Sequence, residues 1–157
     1  VIGSRGSVIP LFLRQREAGM LTITDKRMTR FWLSLERMHV EERWTAPEFV
    51  LWALKTMCGG EIFVPKLCSA RMLDVAAAVG PGCAIREVGI RPGEKLHEVM
   101  ISADESLSTV ELSDAYVILP TAPSWPFMPP ANSHPVPQGF CYSSNDDPLP
   151  VQYMETT

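Results

Sequence analysis

The middle of the chain alternates between helical and extended patterns, and this alternation restricts the fold more than any other feature. Apolar residues at helical spacing predict a helix over Glu48–Met57, with Thr45 as its N-cap and Gly59 just beyond its end. The next segment, Glu61–Pro65, is almost wholly apolar, as in strands buried on both faces of a parallel sheet, and is too apolar for a sheet edge. A second helix follows, with Ser69 as its predicted N-cap. Such alternation is typical of the α/β class.

Weaker patterns predict the elements on either side of this region. Ser7 as N-cap and Pro10 in the first turn predict a helix that runs to about Ala18 and is stopped by Gly19. Extended segments are predicted at 21–24, 29–35, 84–90 and 109–119, and a partly helical segment at 97–106.

The proline distribution changes near residue 120. Nine of the fourteen prolines lie from Pro120 onward, and proline lacks the N–H that regular ladders require. We therefore predict two regions, residues 1–119 and residues 120–157. The second is a proline-rich tail that cannot supply regular ladders and wraps the surface or stays mobile.

Composition and charge argue against several classes of function. The 157 residues carry a formal net charge of −4, so no broad basic field is available for nucleic acid. No apolar run approaches the roughly 20 residues of a membrane helix, and no secretory signal is recognisable, so a cytoplasmic location is expected. The cysteines lack the spacing of metal ligands, so we expect reduced, mostly buried thiols and no metal site. They are Cys58, Cys68, Cys83 and Cys141.

Two arginines suggest a site for an anion. Arg91 follows a predicted strand and precedes Pro92-Gly93, so a rigid turn should hold it. Arg30 lies between apolar residues in Met28–Trp32. A fixed guanidinium presents a planar fork of donors suited to a carboxylate or a phosphate. The alternatives are an ordinary turn with solvated charges around Arg91, and a strand charge at Arg30 that pairs with Glu36 or Asp25.

Several blocks of sequence, in this order along the chain, carry a resemblance to one family. They resemble the C-terminal part of the inverting UDP-N-acetylglucosamine 4,6-dehydratases, in the polysaccharide-biosynthesis group of extended short-chain dehydrogenases. The blocks are Gly3–Pro10, Ile23–Asp25, Met28–Trp32, Gly59–Lys66, Gly89–Ser102 and Tyr142–Asn145. Residues 37–47 look longer than the family's connection there, which indicates a surface insertion or a damaged reading.

The resemblance implies the C-terminal, nucleotide-sugar-binding part of an extended short-chain dehydrogenase fold, without its N-terminal Rossmann half. It implies a homo-oligomeric parent enzyme that converts UDP-N-acetylglucosamine to a 4-keto-6-deoxy sugar, for pseudaminic acid or related surface polysaccharides. NADP would be bound by the missing half, so no cofactor is expected on this chain. The family's Tyr-x-x-x-Lys pair does not occur in this sequence, so the chain alone is expected to be inactive.

The resemblance also implies roles for individual residues. Arg30 and Arg91 match arginines that hold the UDP pyrophosphate, and Glu94 is a candidate acceptor for the ribose hydroxyls. The other residues to which the resemblance gives a role are Ser7, Val8 and Ile9, at positions where related enzymes offer main-chain groups to the nucleotide.

Plainer interpretations stay open at these positions. Glu94 can be a solvated turn residue and Ser7 a simple helix cap, while Arg5 faces either the sugar or solvent. His97 is expected to pack or hydrogen-bond structurally and not to act in catalysis. At the level of the whole chain, the alternative is a stand-alone, non-catalytic module that binds a UDP-sugar or a protein partner.

Overall fold

A computed structural model describes residues 4–33, 44–146 and 148 of the chain. The first elements are α1 (Val8–Arg16), β1 (Met20–Ile23), β2 (Thr29–Trp32), α2 (Ala46–Thr56), β3 (Ile62–Pro65), β4 (Cys68–Arg71), α3 (Met72–Val79) and β5 (Ala84–Glu87). They are followed by β6 (Val99–Ile101), a 3-10 helix (Asp104–Ser108), β7 (Thr109–Glu111), β8 (Ala115–Ile118), β9 (His134–Pro135) and β10 (Tyr142–Ser143). The predicted α/β class is confirmed.

The described residues fall into two compact units. Unit 1 consists of residues 4–33, 68–98, 144–146 and 148, and unit 2 of residues 44–67 and 99–143. All six predicted site residues lie in unit 1, on segments from distant parts of the sequence.

Unit 1 contains two short sheets and a hydrophobic core. β1 pairs in parallel with β5, and β2 pairs antiparallel with β4. Phe12 of α1 and Leu21 of β1 are fully buried between these elements and α3. The other buried members of the core are Ile23, Met28, Ala70, Met72, Val75 and Ala76. This core fixes the start of α1 relative to the end of β1, where the candidate site lies.

Unit 2 contains an antiparallel sheet in the order β3-β8-β7-β9, and a separate antiparallel pair of β6 with β10. Helix α2 carries an aromatic contact to this sheet, because the ring of Trp52 meets that of Phe63 edge to face, 5.4 Å between centroids. Trp44 and Phe49 each lie 5.5 Å from Trp52 and extend the cluster. Trp44 and Trp52 therefore pack within unit 2.

The predictions for Thr45 and Arg91 are confirmed locally. Thr45 and Glu48 form a reciprocal capping box at the start of α2. The turn after β5 has Gly93 at φ 81°, as a type II turn with proline in its second position requires. α1 ends at Arg16, two residues before the predicted Ala18. Gly19 has the positive φ, 71°, that is typical of a residue just after a helix end.

The predicted parallel pairing of β3 is wrong. β3 pairs antiparallel with β8 and lies at one end of the described sheet, where the Ile62 side chain is 58% exposed. An apolar run of four or five residues does not by itself distinguish a strand inside a parallel sheet from an antiparallel edge. Ser69 is likewise not a helix cap, because it lies buried in β4 opposite Phe31 of β2, and α3 begins three residues later.

The predicted lack of ladders in the tail is also wrong. β9 pairs with β7 and β10 pairs with β6, so the segment after Pro120 adds two short strands. Pro135 is tolerated because β9 is an end strand of its sheet, where a missing N–H costs no ladder bond. The thiols are less buried than expected, since Cys58 and Cys141 are exposed and the other two are partly exposed.

The part of the chain that the structure describes contains no helix of the length and apolarity needed to cross a bilayer. Residues 37–43 of the atypical 37–47 segment lie outside the described residues. The predicted insertion therefore stays a prediction.

Candidate functional site

A cleft of about 410 Å³ lies in unit 1, beside the first turns of α1. Its walls come from the loop before α1, from α1 itself, from the end of β1 and from the turn after β5. Three arginines, Arg5, Arg14 and Arg91, line it together with one carboxylate, Glu94. The charged groups of the lining therefore favour an anion.

The N-terminus of α1 faces this cleft through Gly6, Ser7 and Val8. Ser7 has the extended conformation of an N-cap, but its hydroxyl donates to the Ser4 carbonyl at 2.8 Å and makes no bond to the helix amides. The first turn contains no acidic residue. First-turn amides without a side-chain cap, together with the helix dipole, favour a negative group at this end of α1.

The turn that carries Arg91 is closed by two hydrogen bonds. The Glu94 amide donates to the Arg91 carbonyl at 3.0 Å, and the Arg91 amide donates to the Glu94 carboxylate at 3.2 Å. Pro92 and Gly93 fix the backbone between them. The rigid turn predicted from the sequence is thus present, and it holds an exposed guanidinium at the wall of the cleft.

Glu94 is held from three directions. Besides the Arg91 amide, its carboxylate accepts a long hydrogen bond from Thr24 Oγ1 at 3.5 Å and lies 3.8 Å from the Arg30 guanidinium. These contacts orient the carboxylate at the end of β1. An ionised carboxylate has about four acceptor positions, so it can still accept hydrogen bonds from a ligand hydroxyl.

Arg30 makes different contacts from those expected of a phosphate ligand. Its Nη1 donates to the carbonyls of Thr29 at 2.7 Å and Leu96 at 3.1 Å, and its Nη2 to that of Lys95 at 2.8 Å. Its Nε lies 3.5 Å from the Glu98 carboxylate. The guanidinium therefore binds the 95–98 segment, and Arg30 is not among the residues that line the cleft.

The structure thus brings together four of the six predicted site residues, namely Ser7, Val8, Arg91 and Glu94. Ile9 packs against the hydrophobic core of unit 1 and does not line the cleft. The functional roles of all six stay predictions. Arg14 was missed by the sequence reasoning, although its position three residues after Leu11 makes the two neighbours on the helix surface.

Two other polar groups of unit 1 lie away from the lining. Asp25 accepts hydrogen bonds from the side chain and then the amide of Arg27, which lower the pKa of its carboxyl to about 2. His97 Nδ1 lies 2.7 Å from Thr29 Oγ1, the structural role predicted for it. Within the described ranges, no three potential ligand side chains are grouped as a metal site would require.

Comparison with known proteins identifies the family of this chain. The profile of a family described as polysaccharide biosynthesis protein matches residues 1–120. An inverting UDP-N-acetylglucosamine 4,6-dehydratase of Campylobacter jejuni subsp. jejuni serotype O:2 is 43% identical over 161 residues, covering 95% of this chain and 45% of the relative. A protein of the same description from serotype O:23/36 is 42% identical over 157 residues, covering 94% and 45%.

The fold has a solved counterpart in the X-ray structure of Pen from Bacillus thuringiensis. It matches with a TM-score of 0.74 and 30% identity, over 98% of this chain and 45% of that one. The chain thus spans less than half the length of these relatives. The resemblance to the inverting 4,6-dehydratases is confirmed, and the match over residues 1–120 shows that the chain belongs to the polysaccharide biosynthesis protein family.

Proposed function

We propose that the cleft of unit 1 binds the diphosphate of a UDP-sugar, and that the chain supplies substrate binding to a C5-inverting UDP-N-acetylglucosamine 4,6-dehydratase. One observation carries the proposal: Arg5, Arg14 and Arg91 line the same cleft as the uncapped start of α1. A diphosphate needs fixed cations and amide donors together, and guanidinium forks supply the bidentate geometry that lysine lacks.

Within this proposal each wall has a separate task. Arg91, held on its closed turn, pairs with a phosphate, while the first amides of α1 donate to the phosphate oxygens. Glu94, oriented by Thr24 and Arg30, accepts from the ribose hydroxyls. Binding at sites remote from the reacting sugar carbons can hold the sugar in the geometry that the reaction needs.

The cofactor belongs to the proposal for the whole protein. NADP would supply the hydride chemistry. Among the described residues, no strand leads through a Gly-x-Gly-x-x-Gly turn into a helix, so these residues do not fit a dinucleotide and we derive no step through it. The chain's part would be to bind and orient the UDP-sugar, for the synthesis of surface polysaccharide or pseudaminic acid.

The test is calorimetric titration of the 157-residue chain with UDP and with uridine. UDP is expected to bind, more weakly as salt is raised, and uridine is expected to bind far less because it lacks the phosphates. Arg91→Ala should weaken UDP binding by about 1.5–3 kcal/mol, roughly ten- to a hundredfold, with one charged hydrogen-bonding group lost. Equal affinity for UDP and uridine would contradict a diphosphate site.

Arg86→Ala is the matched control. Arg86 is an exposed arginine of β5 that does not line the cleft, so its removal changes the net charge equally without changing the site. If both variants lose the same affinity, long-range charge and not a contact explains the effect.

A stand-alone binding module is the second candidate, because the cleft lies within one unit of this chain. Joining the chain to the cofactor-binding half of a relative separates the two proposals. A dehydratase predicts formation of a 4-keto sugar from UDP-N-acetylglucosamine, with a higher KM in Arg91→Ala. UDP binding without any turnover in the joined protein would favour the module.

A further inference from the structure

A completely buried serine from the tail lies directly behind the 91–98 segment. Ser144 is 0% exposed, and its hydroxyl lies 2.8 Å from Thr29 Oγ1 and 2.9 Å from the donating Glu98 amide. The Ser144 amide donates in turn to the Glu98 carbonyl at 2.8 Å. Thr29 Oγ1 also contacts His97 Nδ1 at 2.7 Å. The tail therefore joins β2 to the 97–98 backbone through one polar network.

The donors and acceptors of this network are satisfied together in only one arrangement. Ser144 Oγ accepts from the Glu98 amide, so its own hydrogen is free to go to Thr29 Oγ1. The Thr29 hydrogen then goes to His97 Nδ1, which must carry a lone pair. The opposite direction would leave the hydroxyl hydrogen of a fully buried serine without an acceptor among these partners, which is unfavourable.

This network supports the segment that carries the site residues. The Thr29 amide donates to the Leu96 carbonyl at 3.2 Å, and Arg30 beside it binds the carbonyls of Lys95 and Leu96. Holding residues 95–98 against β2 also holds Arg91, provided that the four residues of the Arg91–Glu94 turn move as one body. The two hydrogen bonds that close that turn make it such a body.

We propose that Ser144 and Thr29 are positioning residues, which hold the 91–98 segment against β2 and thereby set the affinity of the cleft for a nucleoside diphosphate. The inference rests on the proposed function. Neither residue lines the cleft, so both act through the segment that they hold.

The experiment measures two quantities in Ser144→Ala: the dissociation constant for UDP, and the hydrogen-exchange rate of the Glu94 amide in the ligand-free chain. The expected results are a roughly two- to tenfold weaker affinity, as for one lost hydrogen bond, and faster exchange at Glu94. The Glu94 amide has no contact with Ser144, so its exchange reports the position of the turn. Unchanged affinity and unchanged Glu94 exchange would overturn the proposal.

Ser106→Ala is the matched control. Ser106 is a buried serine of unit 2, 3% exposed, whose hydroxyl bonds the Ala103 carbonyl and the Gly139 amide. Its removal should lower thermal stability without changing UDP affinity or Glu94 exchange. An equal loss of affinity in Ser106→Ala would show that general destabilisation explains the effect, and this would also overturn the proposal.

A second pair of variants keeps the test decisive if Ser144→Ala folds poorly. Thr29→Ser retains the hydroxyl and should keep Glu94 exchange close to that of the parent, whereas Thr29→Val removes the hydroxyl and should accelerate it. In the parent chain, the imidazole nitrogen chemical shifts should show His97 Nδ1 without a proton. If the parent chain fails to bind UDP, the proposed function fails, and the Glu94 exchange rates still decide whether Ser144 positions the turn.

Discussion

At the scale of single residues, Arg30 and Arg91 show how two arginines with the same predicted role make different contacts. The Arg91 guanidinium lines the cleft, whereas that of Arg30 donates to three main-chain carbonyls. Removing the charged donor from a partly buried carbonyl lowers the free energy of unfolding, whereas replacing an exposed arginine changes it little. The two residues should therefore separate in stability measurements.

Arg30→Ala should lower the free energy of unfolding of the ligand-free chain by about 1.5–3 kcal/mol, because three charge-assisted hydrogen bonds to the backbone are lost together. Arg86→Ala, an exposed change in the same unit, should stay within about 0.5 kcal/mol. Urea unfolding measures both. Normal stability combined with lost UDP binding in Arg30→Ala would instead identify Arg30 as a direct phosphate ligand.

Asp25 should determine part of the acid stability of unit 1. The hydrogen bonds from Arg27 lower the pKa of this carboxyl from 3.8 to about 2 in the folded chain. The stabilisation is therefore present above about pH 4 and is lost as the pH falls toward about 2. Asp25→Asn should be less stable at neutral pH and should lose less stability across this interval. Parallel pH profiles of the variant and the parent would contradict this role.

Asp104→Asn is the control for that experiment. Asp104 is an exposed carboxylate at the start of the 3-10 helix, and its replacement removes the same charge without removing a contact to Arg27. An equal change in pH dependence in Asp104→Asn would show that loss of one charge, and not loss of the contact with Arg27, explains the result for Asp25→Asn.

At the scale of elements, α2 illustrates a boundary that local sequence determines. The Glu48 amide donates to Thr45 Oγ1 at 3.3 Å, and the Thr45 amide donates to the Glu48 carboxylate at 2.9 Å. The bond from the Thr45 amide, and then one from the Thr45 hydroxyl to the same carboxylate at 2.9 Å, lower the pKa of the Glu48 carboxyl. All partners lie within four residues, so the sequence alone predicts the start of this helix.

Thr45→Ala should reduce the stability of α2 by about 0.5–2 kcal/mol, since the uncapped amides of the first turn lose an acceptor. Thr45→Ser retains the hydroxyl and should be close to the parent. Hydrogen exchange at the amides of the first two turns reports on the helix itself. If alanine and serine behave alike, the cap contributes nothing measurable to α2.

Strand pairing, by contrast, was predicted less well than helix boundaries. The sequence marks β1, β3 and β8 as extended, but it does not indicate that β3 pairs antiparallel with β8, more than fifty residues later. β9 and β10 were missed because two-residue strands carry no period, and because proline argues against a ladder until an edge position is known.

At the scale of the whole molecule, the division into two units predicts which residues unfold together in local unfolding. Phe12, fully buried in unit 1, and Val117, fully buried in unit 2, belong to different cores. Cooperative opening units often coincide with such compact parts. A cavity at one of the two positions should therefore affect its own unit first.

Phe12→Ala should lower the stability of unit 1 by about 3–5 kcal/mol through the lost burial and the cavity that remains. In this variant, the hydrogen exchange of amides in β1 and β5 of unit 1 should become faster, with a smaller change in β7 and β8 of unit 2. Val117→Ala should show the reverse order. Equal acceleration in both units, in either variant, would mean that the chain opens as one cooperative body.

The sequence by itself determined the α/β class, the capped start of α2, the closed Arg91–Glu94 turn and the family resemblance. Each depends on residues that are neighbours in the chain, where a few bonds decide the conformation. Only the tertiary structure decided which strands pair, that Arg30 binds the 95–98 carbonyls, that Arg14 joins the cleft and that Ser144 is buried behind it. These contacts join residues that are distant in the sequence, and their energy depends on burial that no local pattern records.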